Sequence, residues 1–300
     1  MTFKVTATSL NLRSQPKVSP TNRIATLPNG QLVDKISEAA APWWKVSTTL
    51  GGATLIGFTS SDFLVAQASA PPSPAATSLI PVHLEENRPS VTRDTTNARA
   101  FPLGEPGRPT RGGTTPPQRV TDLRNIITFL DVENRARYRP GAGKTFCNIY
   151  AYDYCYLAGA YLPRVWWTAS AIAKLLSGQN VTVQYGATVV ELNANSLHDW
   201  LQEFGPTFGW KRVASPDDLQ AAANLGKVAV ISGQRVELNT PGHICLVVPE
   251  DTPPRVAVRS SGVVTLPLQS QAGAQNFSYS PRTKWWAGVK FRSFSFWVHD

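Results

Sequence analysis

The sequence predicts an α+β fold, with helices first and an antiparallel sheet after them, preceded by a small all-β barrel. Residues 1–66 alternate apolar and polar side chains, turn at short intervals and show no helical periodicity. Residues 67–118 change to Pro, Ala, Ser, Arg, Thr and Gly. From 119 to 300, helical spacing comes first and β-type runs close the chain. The expected organisation is therefore a β unit at 1–66, a Pro-rich linker and arm at 67–118, and the larger α+β domain at 119–300.

In the first segment, Phe3-Lys4-Val5-Thr6-Ala7 and Leu10-Asn11-Leu12-Arg13 alternate, and Ser14-Gln15-Pro16 and Pro28-Asn29-Gly30 supply turns. Several short strands in so short a stretch suggest a small barrel. Residues 67–82 suit an extended linker, and 83–118 an irregular arm lying against one of the domains. Leu123, Ile126, Ile127 and Leu130 recur at helical spacing within a helix expected over 120–138. Further helices are expected over 146–159, stopped by Gly159, over 168–176, over 196–204 capped by Asn195 or Ser196, and over 216–224 behind Ser215-Pro216-Asp217-Asp218. Strands are expected at 227–231, 243–248, 255–258 and 288–298.

The chain has 300 residues, 42% of them hydrophobic and 16% charged, which suits folded domains with polar, uncharged loops. No apolar run reaches membrane-spanning length. The formal net charge of +9 favours an anionic partner, such as nucleic acid, a membrane surface or an acidic wall polymer. Lys and Arg never run beyond two in a row, so a nucleic-acid arm is unsupported. Three cysteines, none in CxxC spacing, and four histidines argue against a disulfide framework and a structural zinc site.

The chemistry concentrates in Thr145-Phe146-Cys147-Asn148 and Pro241-Gly242-His243-Ile244. A thiol attacks a carbonyl only as the thiolate, so its pKa must fall. Cys147 opens a helix, where free N–H groups and the helix dipole favour negative charge. His243 heads an apolar strand and would complete an ion pair or take the thiol proton. Cys155 and Cys245 sit in apolar segments and fit the ordinary reading of a small core residue. His198 suits a surface or capping place. Gly141-Ala142-Gly143-Lys144-Thr145 imitates the end of a phosphate-binding loop, but Tyr138 stands where that motif needs its first glycine. It suits a loop delivering the nucleophile.

Leu10–Ser14, Leu27–Gln31, Trp43-Trp44-Lys45-Val46, Gly57-Phe58-Thr59 and Asp62-Phe63-Leu64 resemble a bacterial SH3 domain across most of the first segment. That family binds cell-wall peptides or glycans. Trp44, Val46 and Phe58 fit the core, whereas Trp43 would point to the opposite face as a candidate ligand-facing ring. Thr-x-Cys-Asn at 145–148, Asp153 six residues after the cysteine, and Gly242-His243 on a strand resemble the papain-like NlpC and CHAP cysteine amidases and peptidases of bacterial walls. The resemblance covers roughly 120–300 and is sharp only at the Cys and His segments. It implies that Cys147 is the nucleophile, that His243 is the general base, that an amide of peptidoglycan is the substrate, and that no metal or organic cofactor takes part.

The resemblance also implies a third polar group on the strand after the histidine strand. Ser260 is chosen by position within Arg255–Gly262, with Glu250 as the other candidate. Asp153 lies about one and a half turns past Cys147 and faces elsewhere. For substrate contact, Asn148 and the pair Trp166-Trp167 are candidates, though the tryptophans fit equally well as one core and one surface ring. A monomer, secreted, periplasmic or wall-associated, is expected, although Met1–Val5 carries no signal-peptide hydrophobic region. Two alternatives remain: a non-catalytic wall-binding protein that keeps the fold, which the missing third residue favours, and the same chemistry in an antibacterial toxin or phage lysin.

Overall fold

The computed structural model describes residues 2–50, 53–66, 79–281 and 284–300, arranged as two compact units, Met1–Ala76 and Thr77–Asp300. The expected linker falls mostly on 67–78, outside the described residues.

The first unit is all β. Its strands are β1 (Thr2–Val5), β2 (Ser9–Arg13), β3 (Arg23–Pro28), β4 (Leu32–Glu38), β5 (Trp43–Leu50), β6 (Ala53–Ser60) and β7 (Leu64–Ala66), in the spatial order β3-β2-β6-β5-β4-β1-β7. Every pairing is antiparallel. Alternation places Phe3, Val5, Leu10, Leu12, Leu27, Val33 and Val46 on the buried side. Trp44 packs on this core edge-to-face with Phe3 at 4.7 Å, and the Lys35 ammonium lies 4.0 Å from its ring centroid. Phe58 departs from expectation. It pairs with Lys45, one diagonal step from the Trp43–Ser60 pair, and so shares the half-buried outer face with Trp43.

The second unit is mixed α+β. Its elements are α1 (Pro116–Leu130), α2 (Cys147–Leu157), β8 (Val165–Trp167), α3 (Ala169–Leu176), β9 (Val189–Glu191), α4 (Ala194–Glu203), β10 (Trp210–Val213), α5 (Pro216–Asn224), β11 (Val228–Arg235), β12 (His243–Val247), β13 (Val258–Ser260), β14 (Val263–Leu266), β15 (Gln269–Gln271), β16 (Phe277–Ser280) and β17 (Phe291–His299). The main sheet is antiparallel in the order β10-β17-β11-β12-β15-β16. Both faces are buried. Val228 and Val230 join Ile244 and Leu246 in the core shared with α1, α2 and α4, while Ala229, Ile231 and Val247 meet Leu219 and Ala223 of α5.

Local sequence explains the helix ends. The Thr115 N–H donates to Gln118 Oε1 at 3.0 Å, and Pro lies in the first turn of α1. Asp131 adopts a left-handed conformation (φ 45°), which stops α1 well short of the expected residue 138. Asn193, rather than Asn195 or Ser196, caps α4, accepting from the Ser196 N–H at 3.0 Å.

The expected arm packs within the second unit. Val82, Leu84, Ala100 and Leu103 are buried in the main core, and the Val82 N–H donates to Tyr161 Oη at 2.8 Å. A buried ion pair fixes α2. Asp153, fully buried, accepts from Arg137 Nε at 2.6 Å, Arg137 Nη2 at 3.1 Å and Tyr138 Oη at 2.9 Å, while Arg137 Nη2 also donates to the Phe101 carbonyl at 2.9 Å. Removing one partner strands a charge in the interior. Asp153→Ala is expected to destabilise the second unit by about 3–5 kcal/mol in urea unfolding, and a loss under about 1 kcal/mol would contradict this anchoring.

Candidate active site

The site lies where α2 begins beside the start of β12. Before it, Gly141 and Lys144 form a tight bridge, with Gly141 N–H to Lys144 O at 3.1 Å and Lys144 N–H to Gly141 O at 2.9 Å. Ala142 and Gly143 take positive φ (50° and 71°) at its tip. The loop is a two-residue turn leading into the helix that starts at Cys147.

The Cys147 thiol and the His243 imidazole come within electrostatic reach of one another, although they lie far apart in sequence. Burial alone would push the thiol up. The charge and polar contact of His243, with the backbone N–H groups of Ile244 and Asn148, outweigh burial and hold it below the ordinary 9.0. The imidazole mirrors this. Burial would lower it, but Cys147 and then Gln271 raise it above the ordinary 6.5 against the opposing charge of Arg235. The other two thiols provide the contrast: burial pushes both Cys155 and Cys245 well up.

Gln271 is the imidazole's second partner, with Nε2 of His243 2.7 Å from its Oε1. Its own Nε2 donates to the Gln275 carbonyl at 3.1 Å, which turns Oε1 toward the ring. His243 Nε2 must then carry a proton, leaving Nδ1 free of that bond. The β12–β15 register, with Leu246 opposite Ser270, places Gln271 one diagonal step from His243. Trp285 stands edge-on to the imidazole with centroids 4.5 Å apart. Gly242 has no room for a side chain: a Cβ would lie 2.4 Å from Asn195 Oδ1 and 2.8 Å from the Gly233 carbonyl.

Two clefts flank the pair. One of about 300 Å³ on the thiol side is lined by Arg99, Lys144, Cys147, Asn148, Arg164 and Glu191. The other, about 640 Å³ on the imidazole side, includes Arg235, His243, Gln271, Trp285, Lys290 and Phe291. Gly143, Thr145, Pro241 and Gly242 line both.

The remaining expected site residues divide. Asn148 lines the thiol-side cleft, with its Nδ2 donating to the Leu192 carbonyl at 2.9 Å. Trp43 belongs to the first unit. Ser260 is exposed on β13, which among the described residues pairs only with β14 in a separate hairpin, so the strand next in sequence is not the next strand in the sheet. Glu250 is bound by Arg259 and held down at about 2. Trp166 and Trp167 do not face a groove. Both are buried, Trp166 amid Tyr161, Trp200, Phe204 and Phe208, and Trp167 with Nε1 donating to the Ile80 carbonyl at 3.3 Å. His198 is likewise interior, its two ring nitrogens each 3.0 Å from a hydroxyl, Ser232 and Ser293. Gln271 and Arg235 were missed. The one sequence cue for Gln271 is the pair Gln269 and Gln271 at strand period beside Leu266 and Leu268.

No family model and no curated protein matches the chain. Among solved structures, NlpC2 from Trichomonas vaginalis aligns at 10% identity with a TM-score of 0.23, over 99% of this chain and 71% of that one. A likeness this weak carries no weight for fold or function, and the reading of the site stands on the chain's own geometry.

Gly242→Ala is expected to destabilise the second unit by about 1–3 kcal/mol in thermal unfolding, because backbone on both sides must give way. Unchanged stability would contradict the packing around His243.

Proposed function

We propose that the second unit is a papain-like cysteine amidase or peptidase of the NlpC or CHAP kind, cleaving an amide of the cell-wall peptide. The observation that carries this is Cys147 paired electrostatically with His243, whose ring is hydrogen-bonded to Gln271, with the thiol held low while the other two buried thiols are driven high. Such selective activation is what a nucleophile needs and a core cysteine does not. The choice of peptidoglycan comes from the resemblance of the Cys and His segments, and the net charge of +9 suits an anionic wall.

Cys147 as thiolate attacks the amide carbonyl, and free N–H groups in the first turn of α2 are suited to take the developing oxyanion. Protonated His243 gives its proton to the leaving amine, and the thioester remains on Cys147. His243, now neutral, draws a proton from water, which clears the acyl group and restores the pair. Gln271 is a positioning residue that holds the ring and its tautomer. It occupies the third place whose apparent vacancy favoured a non-catalytic reading. The first unit is proposed as an SH3-like wall-binding barrel with Trp43 toward ligand, and a secreted, periplasmic or wall-associated setting follows from the same reading.

Purified peptidoglycan incubated with the native chain should release peptide fragments identifiable by mass, and Cys147→Ala should release none. Equal release by both would reject the mechanism. Gln271→Ala should lower kcat/KM about 10–100-fold, the worth of a hydrogen bond to a charged group, while Ser260→Ala stays within about twofold; the reverse order would reject Gln271. The active form carries thiolate and imidazolium together. Activity should therefore rise with pH through a limb below 9.0, set by the lowered Cys147, and fall through one above 6.5, set by the raised His243. A profile with no alkaline fall would contradict the ion-pair form.

A further inference from the structure

The imidazole must protonate the leaving amine, so the leaving fragment lies on the imidazole side of the pair, in the cleft of about 640 Å³. Among the described residues no acidic side chain lines that cleft, whereas Arg235 and Lys290 do. Arg235 is held at three points. Its backbone N–H donates to Asn195 Oδ1 at 3.0 Å, its Nε donates to the Pro241 carbonyl at 2.9 Å, and its guanidinium lies 4.8 Å from the Phe291 ring centroid. Among the described residues, its two terminal nitrogens make no hydrogen bond and no carboxylate pairs with it or with Lys290. Glu237 lines the adjoining cavity without forming an ion pair to either. A half-buried guanidinium already fixed through its stem, with the open end of its fork in a cleft, suits a planar carboxylate. Trp285, Val289 and Phe291 add apolar surface for the stem that carries it.

We propose that this cleft binds a carboxylate on the leaving amine fragment, with Arg235 as the specificity-determining residue and Lys290 as a second cation. The proposal rests on the amide-cleavage reading for the term "leaving fragment", but the cleft's ligand can be tested without turnover. Arg235 lies within electrostatic reach of the catalytic ring, since its charge opposes protonation of His243. A bound carboxylate would offset that charge, so an acidic leaving fragment would also favour the imidazolium.

The test measures binding of alanyl-alanine and of its carboxamide to the full chain by calorimetry or NMR titration. The native protein should bind the carboxylate form about 10–100-fold tighter, the range for one hydrogen-bonded charge. Arg235→Gln should bring the ratio to about one, and Arg235→Lys, which keeps the charge but not the fork, should retain part of it. Native-like circular dichroism and thermal unfolding check that each variant folds. Equal binding of the two probes by the native chain, no binding of either, or a full preference surviving in Arg235→Gln would overturn the proposal. Discrimination between the probes without Cys147-dependent cleavage of any wall peptide would instead sink the hydrolase reading and leave the carboxylate cleft standing.

Discussion

The chemistry proposed for the second unit depends on one buried thiol and one half-buried imidazole facing each other. Burial by itself works against both charges, raising the Cys147 pKa and lowering that of His243. Each shift reverses only because the two charges face each other, aided by backbone N–H groups on the sulfur and Gln271 on the ring. Cys155 and Cys245 show what burial does to a thiol without such a partner. The pair is therefore a property of the tertiary fold rather than of either segment.

The scaffold keeps the two elements in register by unrelated means. On the α2 side, the Arg137–Asp153 pair binds the turn after α1 to α2, and Arg137 reaches the 79–115 segment through the Phe101 carbonyl. On the β12 side, Gly242 lets the chain pass against Asn195 at the start of α4, and Asn195 Nδ2 donates to the Leu238 and Thr240 carbonyls at 3.2 and 2.9 Å. The segment 79–115 has no helix or strand, yet its apolar residues complete the core beside α2. It contributes to the environment that holds the helix, a role its composition does not announce.

What could be read from the sequence follows the range of the interactions. The start of α5 was legible because a cap, a proline and nearby acids all lie within a few residues, at Ser215–Asp218. Cys147 and His243 stood out for a similar reason, each carrying a local cue in its neighbours. Gln271 did not, because its meaning comes from β15 lying beside β12 after the β13–β14 hairpin has left the sheet. Ser260 failed on the same point, since order along the chain is not order across the sheet. Trp166 and Trp167 illustrate another limit. An aromatic doublet looks alike in sequence whether it lines a groove or fills a core, and the surrounding Trp200, Phe204 and Phe208 decide for the core here. Phe58 went the other way, to the outer face beside Trp43, because strand parity places Leu55, Gly57 and Thr59 inward.

The ionisation of Cys147 itself tests the account most directly. Thiolate absorbance, or the rate of iodoacetamide capture at Cys147, followed against pH should give a midpoint below 9.0 in the native chain and a higher one in His243→Ala. A midpoint at or above 9.0 in the native chain, or one unmoved by loss of the imidazole, would contradict the claim that the two groups ionise each other.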